Sequence, residues 1–250
     1  MDWTDEAIII GTRRHGETSL IVEAMTSGHG RHLGLVKGGR SRTQRSTLQI
    51  GNTISANWRG RLEEHLGNWT IEPLIDRAAR LMENGSSIFG VQLIAALLRL
   101  LPERDPHPAL YATLPAILDS LADPFSAGEV LVRFELLMLS ELGFGLDLSR
   151  CGATGRAGDL AYVSPKTGRA VSRSAGAPYA EKLLTLPPML LQSRRNGPAD
   201  AEALRQAFSL TGFFLERHVF QPRGEAPPPA RESFLALLGR EADAAVAAKV

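Results

Sequence analysis

The sequence predicts an α+β chain in which a small five-stranded barrel precedes an all-α region. Three observations lead there. Five short segments of the first eighty residues are rich in strand-forming residues, helical periodicity begins only after them, and positive charge is concentrated among the strands. With 250 residues, the chain can bury one large core or two smaller ones.

Residues 7–12 (AIIIGT) and 19–26 (SLIVEAMT) are β-branched runs joined by a turn through Arg13, Arg14, His15, Gly16 and Glu17. Ser27-Gly28-His29-Gly30 turns into residues 31–37, where His32, Gly34 and Val36 alternate with Leu33, Leu35 and Lys37. Residues 51–59 and 66–73 complete the five strands. Short connections without an intervening helix favour closure, which removes exposed strand edges. Residues 86–101 then carry Ile88, Val91, Ile94, Leu98 and Leu101 as a helical stripe ended by Pro102, and residues 107–121 repeat the pattern. In residues 126–142, Val130, Leu131, Phe134, Leu137, Met138 and Leu142 share one face, with Gly143 as the stop. Residues 149–176 lose the period, and helix is expected again over 178–191, 199–219 and 231–238. The predicted organisation is a barrel over residues 1–80 and a helical domain over 81–250, with an irregular loop at 149–176.

Charge gives the first functional reading. Between residues 24 and 62 stand Arg31, Lys37, Arg40, Arg42, Arg45, Arg59 and Arg61 without one Asp or Glu, although the whole chain balances 28 basic against 27 acidic side chains. A surface that is merely soluble usually mixes both signs. A single-sign stretch suits a phosphate backbone, and the glycine-flanked run Lys37-Gly38-Gly39-Arg40-Ser41-Arg42 reads as a flexible basic loop. Residues 149–195 form a second basic stretch, with Arg150, Arg156, Lys166, Arg169, Arg173, Lys182, Arg194 and Arg195 against Asp159 and Glu181. The candidate phosphate contacts are Arg31, Lys37, Arg40, Arg42, Arg45, Arg59 and Arg61, joined by Lys166, Arg169 and Arg173. His29 and His32 are expected to flank a phosphate rather than bind metal.

Other classes find little support. The N-terminus is acidic where a signal peptide is basic. The most apolar stretches fall short of the roughly 20 residues a bilayer requires, and the single cysteine, Cys151, fits a reducing cytoplasm. A zinc ribbon needs two C-x-x-C knuckles. Here Thr154, Ser172 and Ala175 occupy three of the four thiol positions, so no metal or other cofactor is expected and packing must hold the loop. No phosphate-binding loop, nucleophile elbow or zinc-protease motif is present, and no enzymatic activity is expected.

Four segments in order carry a family resemblance: residues 7–21 (AIIIGTRRHGETSLI), the basic loop 36–42, residues 133–145 (RFELLMLSELGFG), and residues 151–175 around YVSPKTGRAV. Together they resemble the bacterial RecO family of recombination mediators and DNA repair proteins. The resemblance implies an OB-fold for the barrel and a zinc-finger-like loop, degenerate here, in the helical domain. It implies a non-enzymatic protein of the cytoplasm and nucleoid that binds single- and double-stranded DNA. Such a protein anneals strands coated with single-strand-binding protein and, with RecR, helps load RecA. With Trp58 and Trp69 the only barrel aromatics beyond Trp3, base stacking is expected to contribute less than charge, and one of the two to pack in the core. Arg133, beside Val130, Phe134 and Leu137, reads on sequence alone as a surface ion pair with Glu129. The resemblance instead makes it the seat of the acidic, aromatic tail of single-strand-binding protein. An RNA-binding or ribosome-associated barrel, and a scaffold that binds no nucleic acid, remain open alternatives.

Overall fold

The computed structural model of the protein describes residues 1–62, 64–191 and 199–247, so Glu63, Arg194 and Arg195 lie outside the described residues. The chain divides into two compact units, Met1–Ala122 and Asp123–Val250. The first contains β1 (Asp2–His15), β2 (Ser19–Thr26), β3 (Arg31–Val36), β4 (Thr53–Arg59) and β5 (Asn68–Ile75), followed by α1 (Ala78–Leu81), α2 (Gly85–Leu98) and α3 (Pro108–Asp119). Strand gives way to helix between Ile75 and Ala78, but the compact unit continues to Ala122, so three helices group with the strands.

The strands hydrogen-bond in the order β1-β2-β3-β5-β4, and β4 returns to β1, so the sheet closes on itself. All pairings are antiparallel except β3 with β5, which meet at Leu35 and Asn68. Ala7 and Ile9 belong to the interior cluster with Val22, Ala24, Ile54, Ala56 and Trp58. Ile8 and Ile10, on the opposite face of β1, meet Val91, Ile94 and Leu98 of α2 and Leu114 and Leu118 of α3. A strand covered on both faces reads as one apolar run, which explains why residues 7–10 do not alternate in polarity. Glycines permit two close crossings. A Cβ on Gly11 would lie 2.2 Å from Nη2 of Arg99, whose guanidinium donates to the Ile10 carbonyl (2.7 Å) and to Glu23 Oε2 (2.7 Å). A Cβ on Gly34 would lie 2.6 Å from the ring of Trp69.

The second unit contains α4 (Pro124–Glu141), a small sheet of β6 (Leu160–Val163), β7 (Ala170–Ser172) and β8 (Leu184–Thr185), and α5 (Arg173–Gly176). Helix α6 (Ala201–Leu215) then runs through a π turn into α7 (Gln221–Arg223), and α8 (Pro229–Ala247) ends the unit. Asp123 and Asp200 cap α4 and α6 by accepting from Ser126 N (2.8 Å) and Ala203 N (2.7 Å). Helices α4, α6 and α8 converge on one fully buried carboxylate, Glu135. It accepts from the Thr211 hydroxyl and from Arg231 at 2.7 and 3.1 Å. The helix expected over 178–191 is corrected to two 3₁₀ turns, Ala177–Lys182 and Pro188–Leu190, with β8 between them. Pro178, Pro187 and Pro188 remove amide donors that an α-helix would need. Among the described residues no helix is long and apolar enough to cross a membrane.

Candidate nucleic-acid interface

The basic loop that leaves β3 is shaped by its own hydrogen bonds rather than left free. Gly38 takes a left-handed φ of 67°, and Arg40 N donates to Thr18 O at 3.0 Å, tying the loop to the β1–β2 turn. Leu48 packs into the sheet's interior cluster, and Asn52 Nδ2 donates to the carbonyls of Ser46 (2.9 Å) and Thr47 (3.1 Å). This anchoring builds a cavity of about 280 Å³ between the loop and β1 and β2, with Leu20 and Leu48 as its apolar floor. Arg14, Arg40 and Arg45 line it, and no Asp or Glu does. The Arg40 guanidinium donates to the Glu17 carbonyl, which fixes its direction. Lys37 and Arg42 are exposed on the same loop. Arg14 was not among the sequence candidates, because it lies ten residues before the acid-free window. The signal that finds it is register: Arg14 pairs with Leu20, and Leu20 lines the cavity together with Gly39 of the loop.

The other arginines of the window are not part of this cluster. Arg31 is corrected to a structural ion pair: its guanidinium lies 2.7 Å from Glu23 Oε1 and 3.1 Å from the Leu101 carbonyl, and its side chain is 13% exposed. Arg59 and Arg61 are exposed, but Arg59 pairs in register with Asp2, toward the opposite end of β1 from Arg14.

The aromatic residues also differ from expectation. Trp58 and Trp69 are both buried, at 0% and 3% exposure, so both pack in the core. His32 is buried among them, and burial holds its imidazole below the ordinary histidine range against the opposing hydrogen bond to the Leu33 carbonyl. It is therefore a core residue and does not flank a phosphate. His29 instead stacks on Trp3, with ring centroids 4.0 Å apart and planes within 6°, and Trp3 stacks in turn on Trp58 at 5.8 Å. Asp5 accepts from His29 Nδ1 (3.0 Å), Ser27 Oγ (2.5 Å) and Gly28 N (2.7 Å). Burial alone would raise the Asp5 carboxyl, but these hydrogen bonds hold it below the usual carboxylate range.

In the second unit, Lys166 is exposed at the turn between β6 and β7, while Arg169 and Arg173 stand at the two ends of β7. Arg169 lies 3.4 Å from Asp147 and Arg173 lies 3.5 Å from Asp159, both as exposed pairs. Cys151 is buried and accepts the Ser172 amide at 3.2 Å, with the Ser172 hydroxyl at 3.5 Å. Burial raises this thiol's pKa, but hydrogen bonds from Ser172 and Thr154 outweigh it and hold the group below the ordinary range. Among the described residues no group of three or more metal-ligating side chains gathers.

Arg133 forms the pair that its sequence position predicts, with its guanidinium 3.0 Å from Glu129 Oε2 and 3.4 Å from the Met189 carbonyl. Phe134 is corrected to a core residue at 1% exposure, so it cannot receive a ligand ring, while Val130 and Leu137 are half-buried. An apolar concavity on this unit lies beside Leu136 instead. It measures about 530 Å³ and is walled by Leu146, Leu148, Leu190 and Leu191. Its walls come from segments far apart in sequence, which periodicity along α4 cannot reveal.

Comparison with known proteins gives a consistent picture. The family model described as Recombination protein O N terminal matches residues 1–75, and that described as Recombination protein O C terminal matches residues 82–226. The chain is 59% identical over 235 residues to the DNA repair protein RecO of Sinorhizobium medicae (strain WSM419), which covers 94% of each chain. It is 60% identical to the protein of that name from Rhizobium etli, covering 94% of this chain and 91% of the relative. It is also 57% identical over 240 residues to that of Brucella abortus (strain 2308), covering 96% and 97%.

Proposed function

This chain belongs to the RecO family of DNA repair and recombination proteins, and we propose that it serves that role by holding DNA strands on its basic loop without catalysing a reaction. The observation that carries this reading is the cavity where Arg14, Arg40 and Arg45 converge with no carboxylate among its lining residues. Guanidinium groups pair bidentately with phosphate oxygens, and Arg40 is already oriented by the Glu17 carbonyl. Each phosphate they neutralise releases condensed counterions, a gain that does not depend on sequence. Such contacts accept single and double strands alike. Two complementary strands neutralised on one surface also repel each other less, as annealing requires. The closed strand order supports an OB-fold reading.

The partners follow from the same family membership. RecR, RecA through RecR, and the tail of single-strand-binding protein are the proposed partners, and the bacterial cytoplasm and nucleoid the proposed location. Arg133 donates to the carbonyl of Met189, the residue before Leu190 of the Leu136-lined concavity, which suits a tail carrying both a carboxylate and an aromatic ring. The loop at 149–176 reads as a zinc ribbon whose metal is replaced by hydrogen bonds around Cys151. Lys166, Arg169 and Arg173 remain proposed accessory DNA contacts, as do Lys37, Arg42, Arg59 and Arg61.

The test is a salt titration of strand binding by the triple variant Arg14→Ala, Arg40→Ala, Arg45→Ala. Each lost phosphate contact on a single strand removes about 0.7 from the log–log salt slope. The slope is therefore expected to flatten by up to about 2, with affinity falling alike for every DNA sequence. An unchanged slope overturns the assignment, and equal or tighter binding of an RNA of the same sequence favours the RNA alternative.

A further inference from the structure

The phosphate cavity explains affinity for any strand, but it offers nothing that separates a paired base from an unpaired one. We propose that the outer face of His29 seats an unpaired base of the bound strand, continuing the column built by Trp58 and Trp3. The inference rests on the DNA-binding reading above and adds a second kind of contact to it.

Three observations carry it. First, the imidazole lies flat on Trp3 at 4.0 Å and 6°, so one of its faces is covered, yet its side chain is 40% exposed. With one face on Trp3 and Nδ1 on Asp5, we assign that exposure to the opposite face and the Nε2 edge. Second, the ring does not turn freely. Asp5 holds Nδ1 at 3.0 Å, the same carboxylate grips Ser27 Oγ and Gly28 N, and His29 N donates to Thr26 Oγ1 at 2.9 Å. A ring fixed before binding loses little rotational freedom when a base settles on it. Third, the neighbourhood can hold the strand that carries the base. Arg59 faces Asp2 across β1 and β4, one register step from the Trp3–Trp58 pair, and exposed Arg61 follows two residues later. Asp5 is fully engaged with protein donors, and Asp2 Oδ1 accepts from Asn57 Nδ2 at 3.0 Å. Asp105 and Glu103 also lie near Gly30 and His32, where Glu103 is 3.7 Å from Arg31 and Asp105 is 3.6 Å from His107, so each of these acids has a partner within the protein. With Trp58 and Trp69 buried, the Trp3–His29 pair is a stacked ring surface with an accessible side beside these strands, whereas exposed His15 stands at the far end of β1. Every base has a π-face, so such a platform selects unpaired bases without reading their sequence.

The experiment measures affinity for oligothymidylate, for an abasic strand of equal length, and for a duplex, using the full chain and the variants His29→Ala and His29→Phe. Base–aromatic stacking worth 1 kcal/mol or more corresponds to about fivefold in affinity. His29→Ala is expected to lose at least about that factor on oligothymidylate while binding abasic strand and duplex as wild type does, with an unchanged salt slope. His29→Phe is expected to restore the loss. Equal oligothymidylate binding by wild type and His29→Ala overturns the proposal, as does an equal loss on all three ligands. If His29→Ala does not fold, wild type must still prefer oligothymidylate to the abasic strand, and equal binding of the two overturns the proposal. In that outcome the DNA reading stands, whereas failure of wild type to bind any strand removes both.

Discussion

Arg31 stands inside the acid-free window yet spends its charge on Glu23, whereas Arg14 stands outside it and lines the cavity with Arg40 and Arg45. Composition showed that positive charge was gathered, and the loop residues Arg40 and Arg45 were legible from it. Which arginine meets a carboxylate depends on register across strands, and a charge count along the chain holds no register. The same limit separates Phe134 from Leu136: both lie on α4, but only its tertiary packing tells which side faces the core. Arg133 was legible in both its readings, and one variant decides between them. Its pair with Glu129 is a half-buried i,i+4 contact, and such pairs are worth about 0.2–0.5 kcal/mol on a helix surface, little enough for an incoming carboxylate to displace. Arg133→Ala is expected to weaken an acidic, aromatic tail peptide by roughly tenfold or more, since a hydrogen bond to a charged group contributes about 1.5–3 kcal/mol. Unfolding stability is expected to change by less than about 0.5 kcal/mol. Fluorescence polarisation with the labelled peptide checks this, and unchanged affinity reduces Arg133 to a surface pair.

Among the elements, the strands were legible because β-branched residues cluster and turns carry glycine, and the long helices because their apolar stripes are regular. Closure of the sheet was inferred from strand number and short connections, but its means were hidden. β3 and β5 share a single register pair, supported by Leu35 N donating to Gly67 O at 3.0 Å, and Trp69 fills the seam by lying over Gly34. A glycine inside a strand usually weakens it, so its role here is visible only once the indole is placed. Gly34→Ala must push Trp69 aside and is expected to cost about 1–3 kcal/mol, as overpacking of a tight core does. Denaturant unfolding followed by tryptophan fluorescence measures the cost, and a stability equal to wild type would show that the seam has slack. Residues 178–191 mislead in the other direction, since their apolar spacing suits a helix while their prolines forbid one.

At the scale of the molecule, the sequence separates strand from helix near residue 80 because composition changes there. The compact unit ends at Ala122 instead, since Ile8 and Ile10 need α2 and α3 to cover them. A fragment covering Met1–Ala122 is therefore expected to unfold cooperatively on heating, followed by circular dichroism, and to keep salt-dependent strand binding. A fragment ending at residue 80 would leave those isoleucines in water and is expected to be unfolded or aggregated. The length of β1 has a consequence of its own. Trp3 and Arg14 sit near opposite ends of this fourteen-residue strand, at most roughly 36 Å apart at about 3.3 Å per residue. That upper bound corresponds to at most about eleven nucleotides at the 3.4 Å spacing along one strand of a duplex, and to fewer in a drawn-out single strand. Under the two proposed contacts the strand would serve as a gauge: an oligonucleotide shorter than this distance is expected to fill one end or the other, and only a longer one to tie both ends together.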